Sequence, residues 1–126
     1  MVNENIYSRT LDIKSVYDGD VTRALIYASE FEPRKHVVRA ALAFANAEKG
    51  GRLHYHQNTD EIYLIIEGQA IVEIDGNEFV VSPMGCVQIP RKTKHRIRAT
   101  DNGAIKYIAL HVSDVDFNGP VLHCEV

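Results

Sequence analysis

Residues 69–81 have the sequence QAIVEIDGNEFVV, which predicts a β-hairpin near the middle of the chain. The pair Asp75-Gly76 lies between two runs rich in β-branched residues. An Asp-Gly pair tolerates the positive φ angles of a type I′ turn, which joins two antiparallel strands through a two-residue loop. The hairpin therefore favours a fold built from antiparallel strands.

Outward from this hairpin, short apolar runs alternate with turn residues on both sides. Runs of this length at close spacing are typical of a β-sandwich or barrel. The alanine-rich run at residues 37–44 would also suit a short helix, and residues 1–20 show no clear pattern. The further strands are expected at residues 21–29, 37–44, 61–68, 86–90, 95–100 and 104–112, with a last one within 121–126.

Length and composition restrict the class of protein. The 126 residues show no linker or internal repeat, so we expect one domain with its core at about residues 21–112. With 14 basic and 17 acidic residues the net charge is −3, which does not favour nucleic acid as the main partner. The basic segment 91–98 is expected to be a solvated loop and strand edge.

The sequence also indicates where the protein is located in the cell. No apolar run approaches the roughly 18 residues of a membrane span, and the N-terminus lacks the features of a signal peptide. Cys86 and Cys124 have no CxxC spacing, and two thiols do not make a disulfide framework. We expect a cytoplasmic protein that does not bind membranes, with Cys86 a small strand or core residue.

Residues 53–61, LHYHQNTDE, contain candidate metal ligands. Because side chains alternate along a strand, His54 and His56 should project from one face. Glu61 opens the returning strand and can face this pair, while His95 begins a later strand. Such a mixed nitrogen and oxygen set suits Fe, Mn, Co, Ni or Zn better than Ca or Mg. Taken alone, an HxH pair is more often hydrogen-bonded or at the surface than bound to metal.

The spacing of these residues resembles the two motifs of the cupins, which are small β-barrels. In the first motif, HxH is followed after three or four residues by Glu and after six more by Gly, as in His54, His56, Glu61 and Gly68. In the second, a proline precedes a histidine by five residues, as in Pro90 and His95.

Some positions depart from the cupin motifs without removing a ligand. Lys92 occupies the position of a glycine after the proline, and Ala99 replaces a trailing asparagine. The glycines Gly50 and Gly51 lie closer to His54 than usual, and Gly85 lies one residue nearer the proline. These departures concern the shape of the loop between Pro90 and His95 and hence the route by which a substrate enters.

The resemblance implies a fold and a cofactor. The fold would be all-β, a double-stranded β-helix with a jelly-roll-like barrel. One divalent transition metal (Fe, Mn, Zn, Ni or Co) would be bound inside it by His54, His56, Glu61 and His95, with open coordination positions facing the cavity.

Other residues are candidates for a role near such a metal. Tyr63 should share the face of Glu61, where it would be either an acid, base or hydrogen-bond donor or an aromatic that fills the barrel. Arg39 and Arg91 could hold a carboxylate or phosphate near the mouth. His111 ends a late strand and is expected at the rim or surface.

The resemblance implies a metal-dependent enzyme acting on a small polar metabolite, either a dioxygenase or an isomerase or lyase on a sugar or small carboxylic acid. The fold does not choose among these reactions. The alternatives are a non-catalytic ligand-binding or sensor barrel and a structural barrel whose histidines are incidental. Small barrels of this family often pair through N-terminal strands, so residues 1–21 predict a homodimer.

Overall fold

The computed structural model describes residues 37–47, 50–100, 103–113 and 121–126, and the backbone alone of residues 13–15 and 22–27. Every regular element in these ranges is a strand, and none of the described residues forms a helix able to cross a membrane. The strands are β1 (Ile13–Ser15), β2 (Thr22–Tyr27), β3 (Val37–Asn46), β4 (His54–His56), β5 (Asp60–Glu67), β6 (Ala70–Ile74), β7 (Asn77–Val81), β8 (Cys86–Ile89), β9 (His95–Ala99), β10 (Ala104–Val112) and β11 (His123–Glu125).

These strands form two antiparallel sheets. The first has the order β1-β2-β3-β10-β5-β8, and the second has the order β11-β4-β9-β6-β7. Strands close in sequence often lie in different sheets, so the chain passes repeatedly from one sheet to the other, as in a jelly roll. The all-β class is confirmed, and the predicted strands are present with shifts of a few residues at their ends.

The central hairpin is confirmed in detail. Ile74 pairs with Asn77, which leaves Asp75 and Gly76 as a two-residue loop. Their φ angles are 50° and 84°, both positive, as a type I′ turn requires. The right-handed twist of the two flanking strands matches this turn, so local sequence alone determines the element.

The alanine-rich run that would also have suited a helix is strand β3. It pairs with β10 from Val37 to Asn46 and with β2 on its other side. Burial alternates along much of the strand, because one side chain in two faces the interior. Pairing with two neighbouring strands outweighs the modest helix propensity of alanine.

The apolar core lies between the inner faces of the two sheets. It includes Ile65 from β5, Val72 from β6 and Ile97 from β9, each at most 2% exposed. Four core residues also line a cavity: Ala43, Tyr63, Tyr107 and Ala109. The cavity therefore lies directly against the packed core, and the core fixes its walls.

Gly68 ends β5 at a position that only glycine fits. Its φ angle is +79°, and a Cβ atom there would lie 2.1 Å from the carbonyl oxygen of Ala104. A side chain would therefore collide with the backbone where β10 begins. This close approach gives a physical reason for the glycine that closes the first motif.

Candidate metal centre

Four side chains meet in the interior between the two sheets, and three of them, His54, His56 and Glu61, line the cavity. One ligand atom from each of His54, His56, Glu61 and His95 lies within 4.8 Å of the others. All four residues are at most 4% exposed. The structure thus brings together the four residues that the motif spacing had linked.

The ligands come from both sheets. His54 and His56 lie on β4, and His95 lies on β9 opposite His54 in the same sheet. Glu61 lies on β5 in the facing sheet. The cluster can form only when the two sheets pack face to face, so its geometry depends on the whole barrel.

Backbone carbonyls orient each of the three imidazoles. The Nδ1 atoms of His54, His56 and His95 lie 2.7, 3.1 and 2.8 Å from the carbonyl oxygens of Arg52, Leu122 and Thr93, respectively. Because a carbonyl oxygen can only accept, each Nδ1 must carry the hydrogen and donate it. In the neutral ring the other nitrogen, Nε2, then holds a lone pair directed into the cluster.

The inward-facing atoms are closely spaced. The Nε2 atoms of His54 and His56 are 3.2 Å apart, and the Nε2 of His95 lies 2.7 Å from Oε1 of Glu61. The Nε2 of His56 lies 3.4 Å from the same oxygen. Lone pairs at such separations repel one another unless protons or a cation lie between them. Three imidazole nitrogens and a carboxylate oxygen fit a divalent transition metal.

Glu61 is ionised despite its burial. Desolvation by itself raises its pKa, but it is outweighed by the charge and hydrogen bond of protonated His111 and by the hydrogen bonds that His56 and His95 donate when Nε2 also carries a proton. Together these contacts hold the pKa of Glu61 well below its ordinary value. The carboxylate is therefore available as an anionic ligand without prior loss of a proton.

The rim or surface position expected for His111 is wrong, since the residue is 2% exposed. Its Nε2 lies 3.0 Å from Oε2 of Glu61, and its Nδ1 lies 3.3 Å from the hydroxyl of Thr59. The alternation of β10 from Ile105 would have placed residues 105, 107, 109 and 111 on one face. The position of His111 at the end of an apolar strand had instead suggested the rim.

The two candidate arginines differ in position. Arg39 lines the cavity, together with Tyr63 and His111. Arg91 instead donates from its backbone nitrogen and Nε to Asp60, at 2.8 and 3.1 Å. Partial burial raises the pKa of Asp60, but the hydrogen bonds and charge of Arg91 outweigh that effect and lower it. Arg91 therefore secures the start of β5 and does not line the cavity.

The last strand completes one wall of the site, and nothing in the motif spacing pointed to it. Strand β11 pairs with β4, and the ring of His123 stacks on that of His54 with centroids 4.2 Å apart. The carbonyl of Leu122 accepts the hydrogen of His56 Nδ1. No local motif marked His123 as part of the site, because it reaches the cluster only through the pairing of β11 with β4.

In the loop between Pro90 and His95, a lysine occupies the glycine position of the motif. Lys92 has a φ angle of +68°, the conformation that glycine adopts most easily. Its backbone nitrogen donates to the carbonyl oxygen of His56 at 2.7 Å. This hydrogen bond ties the loop to the strand that carries two candidate ligands.

Comparison with known proteins agrees with this architecture. The family model of the cupin domain matches residues 43–111. An uncharacterized protein of Methanocaldococcus jannaschii, MJ1618, is 31% identical over 93 residues, which is 72% of this chain and 71% of that protein.

Several solved structures share the fold. A predicted oxalate decarboxylase from Thermotoga maritima superposes with a TM-score of 0.71 at 17% identity, covering 89% of this chain and 99% of that one. KdgF from Halomonas sp. superposes with a TM-score of 0.63 at 20% identity, covering 79% of this chain and 84% of that one. A cupin protein from Bacteroides fragilis superposes with a TM-score of 0.58 at 23% identity, covering 66% of this chain and 71% of that one. At these identities the likeness concerns the fold alone.

Proposed function

The chain belongs to the cupin family, and on this premise we propose that it is an enzyme dependent on one divalent transition metal. The metal (Fe, Mn, Zn, Ni or Co) is held by His54, His56, Glu61 and His95. The substrate is a small polar metabolite. The reaction is either a dioxygenation or an isomerisation or lyase reaction on a sugar or small carboxylic acid.

One observation carries this proposal. Three imidazoles are each held by a backbone carbonyl at Nδ1, and their Nε2 atoms lie in one cluster with the carboxylate of Glu61. Histidines that serve only as hydrogen-bonded core residues have no reason to bring three acceptor nitrogens together. A metal ion satisfies all of them at once, and the carbonyl contacts are the outer partners that metal-bound histidines commonly have.

The protein side of the chemistry follows from the donor set. Four protein ligands on an ion that prefers five or six leave room for water or substrate, and such an ion polarises oxygen-bearing groups. Tyr63 is 3% exposed, lines the cavity, and has its ring centroid 6.1 Å from that of His95. We assign it the role of hydrogen-bond donor or acid toward the bound substrate.

The first experiment measures metal content per chain by mass spectrometry. Wild-type protein and His56→Ala are purified without chelator or a nickel column. About one ion per wild-type chain is expected, with none retained by the variant, because the change removes one ligand of four. Arg96→Gln is the matched control, since Arg96 faces outward and pairs with Glu73. The absence of metal in wild-type protein, even after reconstitution, would favour the non-catalytic ligand-binding or sensor barrel.

The second experiment separates the reaction classes and tests Tyr63. Metal-loaded protein is screened against sugars and small carboxylic acids while dioxygen consumption is recorded. Consumption coupled to turnover identifies a dioxygenase, and turnover without it identifies an isomerase or lyase. Tyr63→Phe should lower turnover by about a hundredfold with unchanged metal content. Unchanged turnover would show that Tyr63 only fills the barrel.

Two further assignments belong to the proposal. We place the protein in the cytoplasm, and the support is that Cys86 and Cys124 are free thiols. Cys86 lies on β8 and is exposed, so it is a strand residue but not a core residue. We also propose a homodimer. The expected contacts of residues 1–21 lie largely outside the described residues. Size-exclusion chromatography with light scattering tests the dimer, and a monomeric mass would contradict it.

A further inference from the structure

Arg39 lies in the same row of the first sheet as Glu61. On β10, His111 pairs with Arg39 of β3 on one side and with Glu61 of β5 on the other. Side chains in one row of a sheet project from the same face. Arg39 therefore stands two strands from a candidate metal ligand, a Cα separation of about 10 Å, with its long side chain directed into the same cavity.

The Nε of Arg39 is buried and has no hydrogen-bond partner among the described residues. Burying a charged donor without a partner is costly, so such a group calls for an explanation. Among the described residues, Glu61 is the one carboxylate that lines the cavity. Its Oε1 already faces His95 and His56, and its Oε2 faces His111. No acidic group of the described cavity wall remains to neutralise the guanidinium.

The space beside Arg39 is bordered by small residues. Ala43 and Ala109 line the cavity between the arginine and the core. The cavity is small, about 30 Å³, with room for two or three water molecules. The cavity thus admits the reacting end of a small molecule and not a large one.

Charge defines the complementary ligand. With a divalent ion bound, the single negative charge of Glu61 leaves one excess positive charge at the metal. Arg39 adds another on the wall of the same cavity. A guanidinium offers a planar pair of donors that matches a carboxylate. A phosphate carries more negative charge and would favour a second arginine or lysine. Neither is present besides Arg39 in the described cavity wall.

We propose that Arg39 anchors a carboxylate of a small organic acid whose other polar end faces the metal centre. This inference rests on the proposed function and extends it by naming the substrate class. The ligand is a few-carbon acid with one carboxylate on the guanidinium and a second oxygen-bearing group toward the metal. The buried Nε, the small side chains of the cavity wall and the lack of a competing acid among the described lining residues each contribute to that recognition.

The test is titration calorimetry with malonate, its neutral analogue malonamide, and inorganic phosphate. Each is titrated into wild-type protein before and after metal loading, and into Arg39→Gln and Arg96→Gln. The two variants lose the same charge, but Arg96 faces solvent on β9 and is paired with Glu73. Metal content and thermal midpoint are measured for every sample, so that folding and metal binding are followed apart from anion binding.

The expected result is malonate binding that exceeds binding of both malonamide and phosphate. Arg39→Gln should weaken malonate binding by about tenfold to a hundredfold while metal content stays at the wild-type level. Arg96→Gln should bind malonate as the wild type does. Arg39→Met keeps the length of the side chain without charge, and it replaces the Gln variant if that protein does not fold.

Other outcomes are decisive as well. Equal binding of malonate by wild type and Arg39→Gln, with metal retained, would overturn the anchoring role and leave the metal proposal intact. Stronger binding of phosphate would overturn the carboxylate assignment. Failure of wild-type protein to take up metal would overturn the proposed function. In that case malonate binding to metal-free protein would still decide Arg39: dependence on the arginine supports the anchor, and no binding refutes it.

Discussion

At the residue scale, the cluster depends on contacts one step removed from the candidate ligands. Each imidazole is turned by a carbonyl, and Glu61 is held by His111 through its second oxygen. Ligands fixed in this way do not need to be ordered when the metal binds. The partners of the ligands are therefore expected to influence metal affinity although they do not touch the ion themselves.

Replacement of His111 tests this expectation. His111→Asn removes the donor that faces Oε2 of Glu61, and we expect metal affinity to fall by about tenfold to a hundredfold. His111→Gln should retain much of the affinity, because its amide nitrogen occupies nearly the place of Nε2. Competition against a chromophoric chelator measures both variants. Equal affinity in wild type and His111→Asn would show that the carboxylate is oriented without this contact.

At the element scale, the loop after β8 and the strand β11 shape the site from outside the ligand-bearing strands. The loop donates from Lys92 to the carbonyl of His56, and β11 supplies the carbonyl of Leu122 to the ring of the same residue. His56 is thus held through both its backbone and its side chain by segments distant in sequence. These contacts couple the order of two peripheral elements to the geometry of one ligand.

The strained backbone of the loop gives a prediction about stability. Lys92→Gly should raise the free energy of unfolding by up to about 1 kcal/mol, because glycine adopts a positive φ without the steric cost of a Cβ atom. Lys94→Gly is the matched control. Lys94 is exposed and lacks a positive φ. The free energy of unfolding of Lys94→Gly should therefore fall by about 0.5–1 kcal/mol, because glycine makes the unfolded chain more flexible. Urea unfolding measures both, and shifts of the same sign would contradict the argument.

At the scale of the whole molecule, the metal centre lies between two sheets. Its ligands come from β4 and β9 on one side and from β5 on the other. An ion bound there would link the sheets and be lost on unfolding, because the unfolded chain has no preformed site. Metal binding and barrel stability are therefore linked by mass action.

This linkage predicts a metal-dependent thermal midpoint. Free metal at about 100 times its dissociation constant should stabilise the fold by about 2.7 kcal/mol. For a domain of this size the midpoint should rise by roughly 10 °C, and excess chelator should reverse the rise. Calorimetry of wild type and His56→Ala measures the effect. A rise of the same size in the variant would show that the metal acts elsewhere.

The sequence alone determined the features that are local. The type I′ turn at Asp75-Gly76 follows from the φ preferences of two residues, and the shared face of His54 and His56 follows from strand alternation. The motif spacing linked both histidines with Glu61 and His95. These residues lie on or at the start of short strands, so their spacing along the chain determines where each side chain lies in the barrel. The all-β class and the family resemblance depend on the same short-range signals.

The tertiary structure alone decided which residues surround that cluster. Strand pairing across 50 or more residues of sequence brings His111 and Arg39 to the cavity. The C-terminal strand β11 brings His123 there by pairing with β4. No local pattern encodes which residues such pairing brings into contact. Arg39 and Arg91 were equivalent candidates in the sequence, yet one lines the cavity and the other binds Asp60. The physical reason is that local propensity sets the direction of a side chain along its strand, whereas sheet order and register set what it faces.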